Sequence, residues 1–281
     1  MTELTGTLRK AGETGIIVLG HRNSSVPFSY VADGSGRPVG FSHEVGLLVV
    51  EAVKTRLGLP DLTVRYAAVT PQSRITLVQN GTVDLECGTT AHTSDHASQA
   101  GFSTTLLLDD VRVMARAGSP GAGGAIADLT GRNVVVTAGT VAERLVKAAN
   151  AEQELGINVI VAQDVGEACQ MLELGRAAAH VEDGMVLEAL RATRVRKPAD
   201  WVVAEKPLRR VAHALMLRKG DDAFAALVDE TVATAQTDGT MASLYEKWFE
   251  HPVPPRNTPV GLPLTTENKT LFDTPTDKPF D

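Results

Sequence analysis

NVVVTAGTVAERLVKAANAEQELGINVIVA, residues 133–162, reads as one complete β-α-β unit. Asn133–Val136 is a short β-branched run, Thr140–Leu155 carries apolar residues at helical spacing, and Asn158–Ala162 returns to a β-branched run. Two strands joined through a helix of that length run parallel, because an antiparallel pair needs only a tight turn. Downstream the alternation continues: Val165–Leu174 is a helix stopped by Gly175, Ala177–Val181 a strand and Gly184–Arg191 a helix. Upstream it has already run once. Gly15–Leu19 is a strand, and Glu44–Leu57 a helix with apolar residues at Val45, Leu48, Val49, Ala52, Val53 and Leu57. Leu62–Val69 is a strand. Pro71 opens a helix carrying Ile75, Leu77 and Val78 and ended by Gly81, and Val83–Cys87 is a further strand.

Two such series make an α/β protein of two lobes, each a mostly parallel sheet flanked by helices. They are separated by Leu106–Gly124, a strand-like run followed by a Gly-rich loop. A second strand-like run, Arg210–Leu217, leads into a helical region, Asp221–Phe249, broken at Asp238-Gly239. The chain therefore builds the first lobe over 1–109, the second over 110–212, and returns to the first over 213–250. It crosses between them near Asp109–Arg112 and near Val211–His213. Residues 251–281, rich in Pro and Thr, are expected to wrap the surface. Ligands of open α/β sheets bind beyond the carboxyl ends of the strands, so two facing lobes make a cleft and two crossings make a hinge.

The 281 residues carry 27 basic against 34 acidic side chains, a formal charge of −7, which argues against nucleic acid as a partner. No apolar run approaches the roughly 18 residues of a membrane span. Met1–Lys10 is polar and lacks the apolar stretch of a signal peptide, so the chain is either cytosolic or a processed form. Cys87 and Cys169 stand far apart in no metal-type spacing and read as buried thiols, with a disulfide between them left open.

Three polar loops follow strands at the cleft: His21-Arg22-Asn23-Ser24-Ser25, Gly88-Thr89-Thr90-Ala91 and Thr137-Ala138-Gly139-Thr140. The third enters a helix, where backbone N–H groups can hold a carboxylate, although such a turn serves equally as a plain helix cap. Arg74 lies in the first turn of its helix, against the dipole, and so invites an anion. Asp183 follows the strand AAAHV and can meet an ammonium or cap the next helix. His92 and His96 have helical i, i+4 spacing but no further ligands nearby, so no metal is expected, and no catalytic motif or cofactor-binding signature is present.

Along these segments the chain resembles the bacterial glutamate/aspartate-binding proteins of polar amino acid ABC transporters. The matching stretches are Gly20–Tyr30, Gln79–Gly88, Val135–Thr140, Leu174–Ala177, Leu217–Lys219 and Lys247–Phe249 with Pro254-Pro255, in one order from end to end. The resemblance implies a two-lobed periplasmic binding protein fold and a periplasmic, monomeric protein whose signal peptide has been removed. It also implies capture of a small carboxylate ligand by lobe closure, with a membrane permease and ATPase subunits as partners. In the family two arginines that grip the ligand's side-chain carboxylate fall on Arg22 and Arg74, and a hydroxyl contact falls on Thr89. The aspartate for the ammonium falls on Asp183, the carboxylate-binding turn on Gly139-Thr140, and an aromatic wall on Phe28. Ser24 and Ala91 complete the expected site.

Three positions depart from the family: the arginine that pairs with the α-carboxylate falls on His96, a serine on Pro71 and a histidine on Val165. An imidazole has neither the permanent charge nor the bidentate fork of a guanidinium, so either an acidic amino acid or a related carboxylate is expected. Two other readings share the scaffold: a cyclohexadienyl (arogenate/prephenate) dehydratase-like enzyme using Glu182 as acid, and a ligand-sensing receptor module. Strand alternation would turn Glu182 and Asp183 to opposite faces, and no enzymatic activity is expected.

Overall fold

The computed structural model describes residues 4–280; the first three residues of the polar start and Asp281 lie outside them. The chain opens with α1 (Gly6–Thr14), β1 (Ile16–His21) and a small sheet of β2 (Ser24–Ser25), β3 (Ser29–Val31) and β4 (Pro38–Val39). There follow α2 (Phe41–Leu57), β5 (Thr63–Ala68), α3 (Arg74–Gln79), β6 (Leu85–Ala91), α4 (Ser94–Gln99) and β7 (Gly101–Phe102). The long β8 (Leu107–Arg116) carries the chain into the second lobe. That lobe holds β9 (Asn133–Thr137), α5 (Val141–Glu152), β10 (Asn158–Ala162), α6 (Val165–Glu173), β11 (Ala179–Asp183), α7 (Gly184–Thr193) and β12 (Trp201–Val203). The equally long β13 (Arg209–Leu217) returns it to α8 (Asp222–Thr237) and α9 (Thr240–Tyr245). The paired β14 (Pro252–Val253) and β15 (Thr258–Pro259) and then α10 (Thr266–Asp273) finish the chain.

One ten-stranded sheet runs through both lobes in the order β10-β9-β11-β8-β13-β6-β1-β5, with β12 and β7 pairing β8 and β13. The β9-α5-β10 unit is parallel in full register, from Asn158 opposite Asn133 to Ala162 opposite Thr137. The sheet is more mixed than the β-α-β pattern predicts: β11 pairs antiparallel with β8, and β13 antiparallel with both β8 and β6. The two crossings thus lie side by side, Val211 opposite Asp109 and His213 opposite Leu107.

Several predicted boundaries move, and each for a tertiary reason. Gly88–Ala91 is strand and not loop, because β13 pairs with it, His213 opposite Ala91 and Ala214 opposite Thr90. Asp183 closes β11 instead of following it. The helix expected from Pro71 begins at Arg74, after a turn in which the Thr70 and Ser73 side chains bond each other and the backbone. The tail does more than wrap the surface: α10 buries Asn268, Leu271 and Phe272 against the body. Both cysteines are free and buried, and burial pushes the Cys87 thiol well above its ordinary range. Among the described residues no helix is long and apolar enough to cross a membrane.

Candidate functional site

The carboxyl ends of β1, β6, β9 and β11 converge on one small cavity lined by Arg22, Arg74, Thr89, Ala91, Thr140, Val141, Val165, Glu182 and Asp183. Six of the ten predicted site residues are among them: Arg22, Arg74, Thr89, Ala91, Thr140 and Asp183. Its free volume is about 10 Å³, room for no more than a single water. The lobes are closed, and an amino acid enters only if they part.

Arg22 follows β1 and Arg74 opens α3; both are 2% exposed. Burial lowers both guanidinium pKa values, that of Arg74 to about 10, and nearby carboxylates oppose it, Glu86 foremost. Nη2 of Arg22 and Nε of Arg74 are buried with no hydrogen-bond acceptor among the described residues, so the pair has donors to offer a ligand. Glu86 in β6 is fully buried, and its Oε2 accepts from the Thr90 hydroxyl at 2.6 Å. A Cβ on Gly88 would collide with the Glu86 carboxyl and press on the Arg22 stem at 3.0 Å, so only glycine lets the two groups meet there.

The second lobe repeats this device. Glu182 in β11 is 2% exposed, and its Oε2 accepts from the Thr137 hydroxyl at 2.6 Å. Glu182 and Asp183, which alternation would turn to opposite faces, both line the cavity, where β11 ends. Both oxygens of Glu182 are engaged, the second by the Asp183 N–H at 3.2 Å, and these bonds oppose the burial that raises its pKa. Asp183 makes no side-chain cap to α7 and is 7% exposed. Burial raises its pKa to about 7; His213 opposes this, while Glu182 and Asp109 reinforce it. His213 in β13 is fully buried, with Nε2 3.6 Å from Asp109 and 3.7 Å from Asp183. Burial alone would lower its pKa, but the surrounding carboxylates outweigh burial and raise it above the ordinary imidazole value.

The other four predicted residues lie around the cavity and not on its wall. Phe28 packs in the core, its ring edge-on to His213 at 5.3 Å. Ser24 spans the two lobes, its hydroxyl donating to Asp164 at 3.0 Å and accepting from the Gly166 N–H at 3.2 Å. Gly139, at φ 75°, lies against Pro71 and Gln72 of the first lobe, where a Cβ would come within 3.1 Å of their backbone. Its N–H is taken by Glu143 at 2.6 Å while the Thr140 hydroxyl accepts from Glu143 N, a reciprocal helix cap, so Gly139 N–H is not free for a carboxylate. His96 is buried beside Ala91, and Arg144 reaches it from the second lobe.

Glu86, Asp109, Asp164, Arg144 and His213 escaped the sequence reading as site residues. Period-two alternation in VDLEC could have exposed Glu86, since it puts Asp84, Glu86 and Gly88 on the face opposite Leu85 and Cys87. For the other four no local signal exists. No group of three His, Cys, Asp or Glu among the described residues could hold a metal; His92 instead stacks on Phe102 at 4.4 Å.

The chain is 46% identical over 276 residues to the L-glutamate/L-aspartate-binding protein of Pseudomonas aeruginosa, covering 98% of this chain and 90% of that one. It is 42% identical over 272 residues to the glutamate/aspartate import solute-binding protein of Escherichia coli, covering 97% and 89%. These relatives are transport proteins and not enzymes. Among solved structures, a mutant of ArgBP from T. maritima superposes with a TM-score of 0.75 at 21% identity, covering 86% of this chain and 99% of that one. A solute receptor for L-cysteine of Neisseria gonorrhoeae gives 0.73 at 24%, covering 86% and 93%. Both likenesses show the two-lobed fold alone. Residues 17–251 match the bacterial extracellular solute-binding proteins, family 3, and the chain belongs to that family.

Proposed function

We propose that this protein captures an acidic amino acid, glutamate or aspartate, in the periplasm and presents it to the permease and ATPase subunits of an ABC importer, acting as a monomer. The observation that carries the ligand class is the pair Arg22 and Arg74, buried at the cavity with unpartnered guanidinium nitrogens, facing Asp183 from the other lobe. Buried unpaired donors are costly, and a carboxylate satisfies them. Asp183 supplies the counter-charge for an ammonium. The names of the similar Pseudomonas and Escherichia coli proteins support the same ligand. Arg22, Arg74, Thr89, Ala91, Thr140 and Asp183 are the contacts in this reading; Ser24, Phe28, His96 and Gly139 shape and close the site around them.

The test is a thermal-shift panel on protein unfolded and refolded free of carried-over ligand. It includes the twenty amino acids, C4 and C5 dicarboxylates, aromatic carboxylates, and arogenate and prephenate. Glutamate or aspartate at a hundred times its Kd is expected to add about 2.7 kcal/mol, a rise of several degrees. The double substitution Arg22→Ala with Arg74→Ala is expected to abolish that rise. Undiminished binding by the double variant would sink the carboxylate reading.

A further inference from the structure

An acidic amino acid presents three charged groups, and the cavity as described accounts for two. Arg22 and Arg74 meet one carboxylate, and Asp183 meets the ammonium. The second carboxylate needs a cation, and His96 does not provide one. Its Nδ1 lies 2.8 Å from the Ala91 carbonyl oxygen, which can only accept, so Nδ1 carries the proton and Nε2 presents a lone pair. Burial, with Arg74 and Arg144 nearby, holds the imidazole below its ordinary pKa against the favourable Ala91 bond. The ring is neutral.

That lone pair faces Nη1 of Arg144 at 3.5 Å, across 48 residues of sequence and from the opposite lobe. Arg144 stands in the first turn of α5, where the helix dipole opposes a cation and favours an anion beside it. Glu143 of the same turn is already engaged by the Gly139 N–H and by Lys147. Among the described residues no carboxylate stands within ion-pair distance of Arg144. Thr140 and Val141, which begin the same turn, line the cavity itself. Arg144 is exposed and does not itself line the cavity, but it stands on the helical turn that does, with no carboxylate partner and with its Nη1 against a neutral imidazole that can only accept from it.

We infer that Arg144 is the cation for the ligand's second carboxylate, brought from the second lobe at closure and positioned by His96. The assignment rests on the acidic-ligand reading above. Its consequence is that the open protein offers two carboxylate-binding arginines on one lobe, and the third arrives only as the cleft shuts. Dicarboxylate recognition is then completed by closure, with Arg144 as its specificity-determining residue and His96 as a positioning residue.

Calorimetric titration of refolded protein with L-glutamate and L-aspartate tests this. Arg144→Ala and Arg144→Gln are expected to weaken binding about ten- to a hundredfold, the worth of a charge-assisted hydrogen bond. Arg144→Lys is expected to retain most of the affinity. Arg144→Ala combined with His96→Arg, which returns a guanidinium from the first lobe, is expected to recover it. Because Arg144 is an exposed residue, the variants are expected to melt at the unliganded wild-type temperature. Wild-type affinity in Arg144→Gln overturns the inference. So does a loss that neither Lys at 144 nor Arg at 96 recovers, since that marks a merely structural role. If the unsubstituted protein binds neither amino acid, the acidic-ligand reading fails first, before any variant is compared, and the assignment falls with it.

Discussion

At Asp183 the surroundings pull the carboxyl two ways: burial, Glu182 and Asp109 favour its proton, while His213 and Arg74 favour its charge. Burial prevails, and the group titrates at about 7. The sign of the ligand effect follows. A bound ammonium requires the ionised carboxylate, so in the closed cleft, where Asp183 is buried, binding below about pH 7 must expel its proton. Affinity is therefore expected to fall as pH falls, approaching about tenfold per unit, and to level off above neutrality. Titrations from about pH 5.5 to 8.5 check this, and Asp183→Asn is expected to lose both the slope and most of the affinity. A flat profile in the unsubstituted protein would remove Asp183 from the ammonium station. That Asp183 stands at the end of a strand was legible in the sequence, though the strand runs through it and does not stop before it. The partners that set its pKa were not, because His213 is supplied by another strand thirty residues on and Asp109 by a third.

Among the elements, β8 and β13 do the most to position the site, since they cross between the lobes and carry Asp109 and His213 into it. Their pairing is braced from outside by α10. The buried Asn268 amide accepts from the Leu108 N–H at 2.8 Å and donates to the Leu108 carbonyl at 3.1 Å, completing the strand's hydrogen bonding as another strand would. Arg210 of β13 ties to Asp110 of β8 at 2.8 Å and to Glu267 of α10 at 2.7 Å, though on a partly exposed face where such pairs contribute little. Asn268→Ala would leave two part-buried backbone groups of Leu108 without their side-chain partner. It is expected to lower stability to chemical denaturation by about 1–3 kcal/mol, while Glu267→Gln changes it little. Equal effects of the two would show that the tail's fastening is electrostatic. The strands themselves were readable from their apolar runs, as was the break at Asp238-Gly239, where Gly239 adopts φ 89°. The tail's helix was hidden by its Thr- and Pro-rich surroundings.

For the molecule as a whole, closure is the functional coordinate. Ser24 bonded to Asp164 and Gly166, Arg144 on His96, and Gly139 against Gln72 all join the lobes and leave no room for an amino acid. Solution scattering is expected to show a ligand-free particle more open than the ligand-saturated one, and Ser24→Ala is expected to shift the ligand-free ensemble further toward the open form. An unchanged radius of gyration on saturation would mean that the cleft does not work by opening. By itself the sequence determined the alternation of strands and helices, two lobes with two crossings, and the arginines and hydroxyls at the strand ends. These are encoded locally, in hydrophobic period, glycine stops and helix caps. Only the tertiary structure decided that Gly88–Ala91 is strand, that Glu86 lies near Arg22 and Arg74, that His213 joins Asp109 to Asp183, and that Arg144 meets His96. Each of these depends on groups far apart in the chain, and no local pattern records which distant side chain will share a buried cavity once the sheet has formed and the lobes have closed.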